Sequence, residues 1–435
     1  MKKGQTPPNT KINLLKVIKA KKLSIVFFII LFLSSFLRFY NIETLSPFGW
    51  DQVDNAWASV KILINHDYPL VGMQAKGNSG VFIGPLYYYL IALVYSFTNL
   101  DPIASGIFAG LTSIFSLVAL YFVTKKILNE KIALIAVFIN AFTVSAILYD
   151  RAQWPVNFIP AISLLIFYYL FEIVRGNAKY ILALSAVVGF SFHIHFTSIF
   201  YPIIVLLVLP LFPRKKETLK YLFFGFLIFS IFIFPIIINF LSNINSAGKV
   251  SSYGNSYYHG LHLRRVMQLI GDAFIQFDFF LKYDFLKPLK FVLLPLFIIA
   301  YIYKKPSKEK YLLGYLIALF FLIPWVVMST YSGELSDYYF STSRFLVIFI
   351  IAYFLYQIYS LKYKLAKFIV LVAILIYGFL NISEFFHQNT GNTLKSFREK
   401  AISAVNSNQK IEFKEGVPES YFYYYYMYKK GVKAY

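Results

Sequence analysis

The segment Phe48-Gly49-Trp50-Asp51-Gln52-Val53-Asp54-Asn55-Ala56-Trp57 sets two carboxylates three residues apart among aromatic side chains, directly after the first long apolar run. The chain is 58% hydrophobic and only 14% charged, so an acidic pair beside a bilayer is costly and needs a reason. A carboxylate there can take the proton of an attacking hydroxyl. The competing reading is a solvated loop whose acids merely cap a helix.

Further polar residues interrupt otherwise apolar stretches. Asp150-Arg151 is followed by Gln153, Trp154 and Asn157; His193 and His195 end one run; Tyr338, Tyr339 and Arg344 open another. A long polar stretch, 241–287, adds Lys249, His259, His262, Arg264 and Arg265. Each has a plain structural reading: a self-satisfied ion pair, packed histidines, a snorkelling arginine. Together the residue types fit one chemistry. Arg and His donors suit an anionic phosphate leaving group, and a carboxylate suits a hydroxyl acceptor. An apolar groove between helices suits a polyprenyl chain. The sum describes sugar transfer from a lipid-phosphate carrier, in line and with inversion, by analogy with the carboxylate logic of glycosidases.

The elements that must hold these residues are membrane helices. A mean hydropathy of +0.62 over 435 residues, with repeated long apolar runs, predicts an all-α polytopic membrane protein. The run Leu23 to Leu37 follows a basic N-terminus without a small-residue cleavage site, which reads as a retained anchor. Candidate spans are 23–40, 84–97, 102–123, 131–149, 156–175, 180–195, 197–212, 219–240, 288–303, 311–329, 344–360 and 365–382. Segment 84–97, roughly 20 Å of helix, is too short for a core of about 30 Å, begins at Gly84-Pro85 and carries Tyr87, Tyr88 and Tyr89. If it lies in the interface, eleven spans remain. The basic clusters then share one side: the N-terminal lysines through Lys22, Lys125/Lys126/Lys131, Arg175/Lys179, Arg214 to Lys220, Lys304 to Lys310 and Lys362 to Lys367. By the positive-inside rule that side is cytoplasmic.

The expected organisation is a cytoplasmic N-terminus (1–22), a transmembrane domain (23–382) and a small extracytoplasmic C-terminal segment (383–435). The outer face carries loop 38–101, with interfacial helix 84–97, and loop 241–287. The run Tyr421–Tyr428 reads as a strand or an interfacial belt. A net charge of +22 could suggest nucleic acid, but its division into short clusters between apolar runs is topological and excludes that partner. No cysteine is present, so disulfides and thiolate chemistry are out. No phosphate-binding Gly-x-x-x-x-Gly-Lys loop, His-Glu-x-x-His or Gly-x-Ser-x-Gly motif occurs.

The motifs in order are Trp50 to Ala56, Gly84-Pro85-Leu86-Tyr87-Tyr88-Tyr89-Leu90, Asp150-Arg151-Ala152-Gln153-Trp154-Pro155-Val156-Asn157, and His195. Over roughly residues 23–360 this resembles the family 39-like glycosyltransferases of the GT-C superfamily, which include protein O-mannosyltransferases and lipid A aminoarabinose transferases. The resemblance implies a plasma-membrane GT-C bundle of about 11 helices with its active site outside. The donor would be a polyprenyl-phosphate sugar and the acceptor a lipid, protein or glycan. It casts Asp51 as catalytic base. Asp54 or Asp150 would orient the acceptor or an optional divalent cation (Mg or Mn). Arg151, His195, Arg264, Arg265 and Arg344 would bind the lipid phosphate, supported by Gln52, His193, Trp154, Asn157, Tyr338 and Tyr339. Two departures stand out: Gln52 replaces a frequent Glu, and Ile83-Gly84 stands where some relatives carry Lys. The alternatives are a lipid-linked sugar flippase or exporter, and an envelope polysaccharide polymerase or ligase using a lipid diphosphate.

Overall fold

The computed structural model describes residues 10–431 except 76–78, 244, 259, 273–274, 304–306, 408 and 410–411; His259, Lys304 and Lys305 therefore lie outside the described residues. Twenty α-helices follow one another. The first half comprises α1 (Thr10–Phe39), α2 (Ile42–Leu45), α3 (Trp50–Leu63), α4 (Leu86–Phe97), α5 (Ile103–Ile127), α6 (Glu130–Phe142), α7 (Val144–Tyr149), α8 (Ile159–Val174), α9 (Tyr180–Ser191) and α10 (Phe200–Val208). The second half comprises α11 (Lys216–Ser242), α12 (Asn245–Tyr257), α13 (Leu263–Asp272), α14 (Ile275–Asp278), α15 (Leu289–Tyr303), α16 (Lys308–Met328), α17 (Arg344–Tyr359), α18 (Lys364–Phe386), α19 (Leu394–Asn406) and α20 (Pro418–Lys429). No strand occurs among the described residues.

Among the described residues, seven stretches are long and apolar enough to cross a membrane: Lys22–Phe39, Ile103–Ile127, Pro155–Val174, Lys216–Ser242, Lys308–Met328, Asp337–Tyr359 and Lys364–Phe386. The other four expected spans are short or broken. The break in 131–149 has a clear local cause. Thr143 is extended (φ −68°, ψ 125°), which separates α6 from α7. The Val144 N–H freed by the break donates to Asn381 Oδ1 at 2.8 Å, and Thr143 Oγ1 meets Tyr377 Oη at 2.6 Å. Both partners come from α18, so a neighbouring helix satisfies backbone that lipid could not.

Helix α17 is the central post. All nine residues from Arg344 to Ala352 are buried, as expected of a helix packed on every side. By contrast α11 exposes Phe223, Phe226, Ile231 and Phe234, a lipid-type surface. The basic connections gather at one end: Arg175 pairs with Glu309 (3.0 Å), and Lys131 lies 5.4 Å from the Tyr359 ring at the close of α17. The opposite end, where α17 begins, carries α3, α4 and the C-terminal helices.

The Tyr421–Tyr428 run is neither strand nor belt but the body of α20, with Tyr421 to Tyr425 buried. Tyr421 packs edge-on against Trp57 of α3 (5.3 Å), and Tyr425 Oη donates to Asp101 (2.7 Å). Arg398 of α19 binds both Asp101 (2.8 Å) and Glu43 (3.0 Å). Helices α19 and α20 thus pack on the 38–101 loop.

Candidate active site

Helix α3 presents Asp51 through a constrained start. Gly49 is its N-cap, and Gln52 Oε1 accepts the Gly49 N–H at 3.0 Å. The other end of the same amide donates to Gln153 O at 2.8 Å. A glutamate at 52 would set a carboxylate against that carbonyl, whereas the glutamine amide bridges both groups. Val53, Ala56, Trp57 and Val60 bury the inner face of the helix. Trp50 and Asp51 are left facing a cavity of about 610 Å³.

That cavity is aromatic. Phe48, Trp50, Trp154 and Phe196 line it with five tyrosines, 253, 258, 331, 338 and 339. Its polar groups are Asp51, Gln52, Gln74, His195, Thr197 and Asn392, and Asp51 is the one charged residue among the described lining. Burial pushes the Asp51 carboxyl up from its ordinary value; the Trp154 indole N–H, which donates to it, opposes the rise, and the nearby Asp54 charge adds to it.

His195 has a defined tautomer. The Thr197 backbone N–H donates to its Nδ1 (3.2 Å), and since that group can only donate, the ring proton sits on Nε2. Burial lowers its pKa to about 4, so the ring is neutral at physiological pH. Tyr338 packs edge-on against it at 5.5 Å and against Trp154 at 5.0 Å. The sequence-predicted residues Asp51, Gln52, Trp154, His195, Tyr338 and Tyr339 therefore converge on one cavity.

The others do not line it, and each has another task. Asp54 is exposed and accepts the Tyr88 hydroxyl at 2.6 Å. Asp150 is ion-paired, but with Arg38 of α1 (2.7 Å) and not with its neighbour; Ser113 Oγ also donates to it at 2.7 Å. Arg151 caps the C-terminus of α1, giving Nη1 to Leu37 O (2.7 Å) and Arg38 O (2.9 Å) and Nη2 to Tyr40 O (2.7 Å) and Asn41 O (3.2 Å). A guanidinium satisfying a helix C-terminus has few donors left for a phosphate. Arg344 is buried behind the aromatic wall, with Nε on Gln276 Oε1 (2.8 Å) and its plane 4.0 Å from the Phe279 ring centre. Asn157 ties the turn after α7 through Tyr149 O and Ala152 O (2.7 and 2.8 Å).

His193 is a staple. It accepts the Leu86 N–H on Nδ1 (3.3 Å) and donates from Nε2 to Phe232 O (2.9 Å), joining α4 to α11. Arg264 is exposed on α13, and Arg265 donates to Gly333 O (2.5 Å), two residues beyond the lining Tyr331. Neither guanidinium lines the cavity.

A divalent cation fits this donor set poorly. No group of three His, Asp or Glu side chains gathers among the described residues, and Asp54 is already engaged by Tyr88. Sequence reasoning also missed several participants. Arg38 was legible as a charge closing an apolar run, whereas Tyr253, Tyr258, Tyr331, Gln74 and Asn392 carry no local signal and are brought in by the fold alone.

Comparison with known proteins accords with this geometry. The family model for dolichyl-phosphate-mannose-protein mannosyltransferase matches residues 83–238. No curated protein matches by sequence. Among solved structures, ArnT from Cupriavidus metallidurans bound to undecaprenyl phosphate superposes with TM-score 0.63 at 12% identity, covering 93% of this chain and 85% of that one. The oligosaccharyltransferase AglB from Archaeoglobus fulgidus, in complex with an inhibitory peptide and a dolichol-phosphate, gives 0.58 at 12% identity, over 94% of this chain and 60% of its own. The chain has the fold of the GT-C membrane glycosyltransferases.

Proposed function

We propose that this multi-pass membrane protein, built on the GT-C fold, is an inverting glycosyltransferase. It moves a sugar from a polyprenyl-phosphate carrier to a hydroxyl acceptor on the outer face of the membrane. The observation that carries the reading is Asp51: one half-buried carboxylate facing an aromatic cavity, oriented by the Trp154 N–H. A carboxyl raised from its ordinary value is a stronger base toward an acceptor hydroxyl than a solvated one.

The acceptor O–H proton passes to Asp51 as the oxygen attacks the anomeric carbon. The anomeric C–O bond to phosphate breaks on the opposite side, and the electron pair leaves with the lipid phosphate. The His195 Nε2–H and the hydroxyls of Tyr338 and Tyr339 supply neutral donors to that leaving oxygen. Arg265, bonded to Gly333 O two residues from the lining Tyr331, and the exposed Arg264 beside it are cations that a lipid headgroup entering from the bilayer would meet. The outer-face assignment rests on the basic connections at the far end of the bundle.

The test uses purified protein with polyprenyl-phosphate sugars of several kinds and follows sugar release or transfer by mass spectrometry. Turnover that disappears in a folded Asp51→Asn protein supports the reading. Turnover equal to wild type in that variant removes Asp51 from the chemistry and the reading with it.

A further inference from the structure

Trp50 is the first residue of α3, immediately before the proposed base, and lines the cavity while 87% exposed. Leaving so large an apolar ring in the open costs more than leaving any smaller side chain there. The lining also includes Tyr253 and Tyr258, which follow α11 and belong to a different part of the chain. Between them the described lining offers amides, hydroxyls and a neutral imidazole, with no Lys or Arg.

This setting selects among acceptor classes. A phosphate-bearing acceptor would bring a further anion beside Asp51 and the donor phosphate, and the neutral donors of the described lining are already committed to the latter. A peptide acceptor wants a row of unpaired backbone donors and acceptors; the nearby backbone of α3 spends its groups within the helix and on Gln52. A neutral saccharide fits. One face of a sugar ring is a sheet of C–H groups carrying slight positive charge, which complements the negative face of an indole, while its hydroxyls need the uncharged donors and acceptors that the wall supplies.

Resting on the proposed glycosyltransferase reading, we infer that the acceptor is a neutral glycan whose terminal ring stacks on Trp50, presenting a hydroxyl to Asp51. Trp50 is then a specificity residue for the acceptor, and the enzyme extends or branches an existing saccharide. Its product is a glycan one residue longer, so the reaction supplying its acceptor is itself a glycosyl transfer.

The experiment uses full-length Asp51→Asn protein, so that binding is read without turnover. Tryptophan emission and calorimetry are recorded on titration with mannobiose, cellobiose and N,N'-diacetylchitobiose, and in parallel with mannose 6-phosphate and a Ser/Thr peptide. Of the four tryptophans, Trp57 is buried and Trp154 and Trp325 are partly so, which leaves Trp50 as the solvent-facing reporter. A blue shift with at least one neutral disaccharide, absent in a Trp50→Phe background, is expected. Trp50→Leu should weaken that binding about three- to tenfold, and Trp50→Tyr should largely restore it.

Binding of the phosphate or peptide probe in preference to every saccharide overturns the inference. So does an emission that blue-shifts on insertion into nanodiscs and then ignores saccharide, because Trp50 is then a bilayer anchor. If no saccharide binds while wild type still consumes a polyprenyl-phosphate sugar, this inference alone falls. If saccharide binds at Trp50 and no such donor is consumed, the proposed donor chemistry falls and the platform stands.

Discussion

A β-carbon built on Gly84 would lie 2.0 Å from Nδ1 of His193. The imidazole cannot retreat, because that same nitrogen accepts the Leu86 N–H and its Nε2 is held by Phe232 O. The pair explains why the start of α4 needs glycine where some relatives carry lysine: backbone and ring occupy nearly the same space. Gly84→Ala should therefore lower the melting temperature in detergent by several degrees and reduce expression. A thermal melt of wild type within one degree of the variant would show that the staple is not structural.

Asp51 ties stability and activity to pH in opposite directions. Its folded pKa is raised, so the native state holds a proton that the unfolded chain has already lost, and stability falls as pH climbs from the ordinary Asp value through the raised one. Asp51→Asn removes that penalty. The variant should melt higher than wild type at neutral pH while losing turnover by at least a hundredfold. In wild type the acid limb of kcat/KM should sit above the ordinary Asp pKa, read from a pH–rate profile.

The proposed mechanism uses His195 as a neutral donor, and acid should expose that. Its pKa falls from the usual 6.5 to about 4 on folding, so the unfolded chain gains a proton first and stability drops as pH is lowered from about 6.5 toward 4. His195→Gln keeps an uncharged N–H and should retain part of the activity while flattening that acid loss. His195→Ala should flatten it equally but cut turnover further. Equal turnover in the two variants would deny the ring a donor role.

The Arg38–Asp150 pair is shielded, with the arginine side chain 0% and the aspartate side chain 19% exposed. Removing one member strands the other in low dielectric. Asp150→Asn or Arg38→Met alone should cost about 3–5 kcal/mol, and the double replacement by apolar residues less than the sum. Additive losses in chemical unfolding would show that the two charges do not interact.

The Arg398 bridge to Asp101 and Glu43 holds α19 on the loop that carries α3. Burial raises the Asp101 carboxyl, but the Ile103 N–H, Arg398 and Tyr425 together outweigh it and hold its pKa below the ordinary value. Arg398→Gln should accelerate protease cleavage near residues 387–393 and reduce kcat with little change in donor KM. Unchanged proteolysis would mean that the aromatic contacts of α20 suffice.

The helical architecture was legible because apolar run length is a direct physical requirement of the bilayer, and the segment 84–97, short in the sequence, forms a helix of only 12 residues, Leu86–Phe97. The convergence of cavity residues was legible where a residue's position relative to a helix start fixes its outlook, as for Asp51, and at turns closing apolar runs, as for Trp154, His195 and Tyr338. The arginines have partners that spacing does not reveal. Asp150-Arg151 looked like a neighbour pair, yet consecutive side chains at the end of α7 point to different partners: one to Arg38, the other to the last carbonyls of α1. Sequence spacing cannot show which buried carbonyls lack donors, and those carbonyls claimed the guanidinium. The tyrosine walls at 253, 258 and 331 depend on long-range closure of the fold and leave no local trace.

Asn392 lines the cavity, and the strand-like contacts beside it (Phe48 N–H to Asn392 O, Leu394 N–H to Ser46 O) join the segment after the last membrane helix to the loop after the first. Those two stretches are separated in time during synthesis by the whole bundle. The wall beside Asp51 is therefore completed only when residues beyond 390 have emerged and travelled back to the first loop. A nascent or truncated chain lacking those residues would keep its bundle helices and leave this wall of the cavity open.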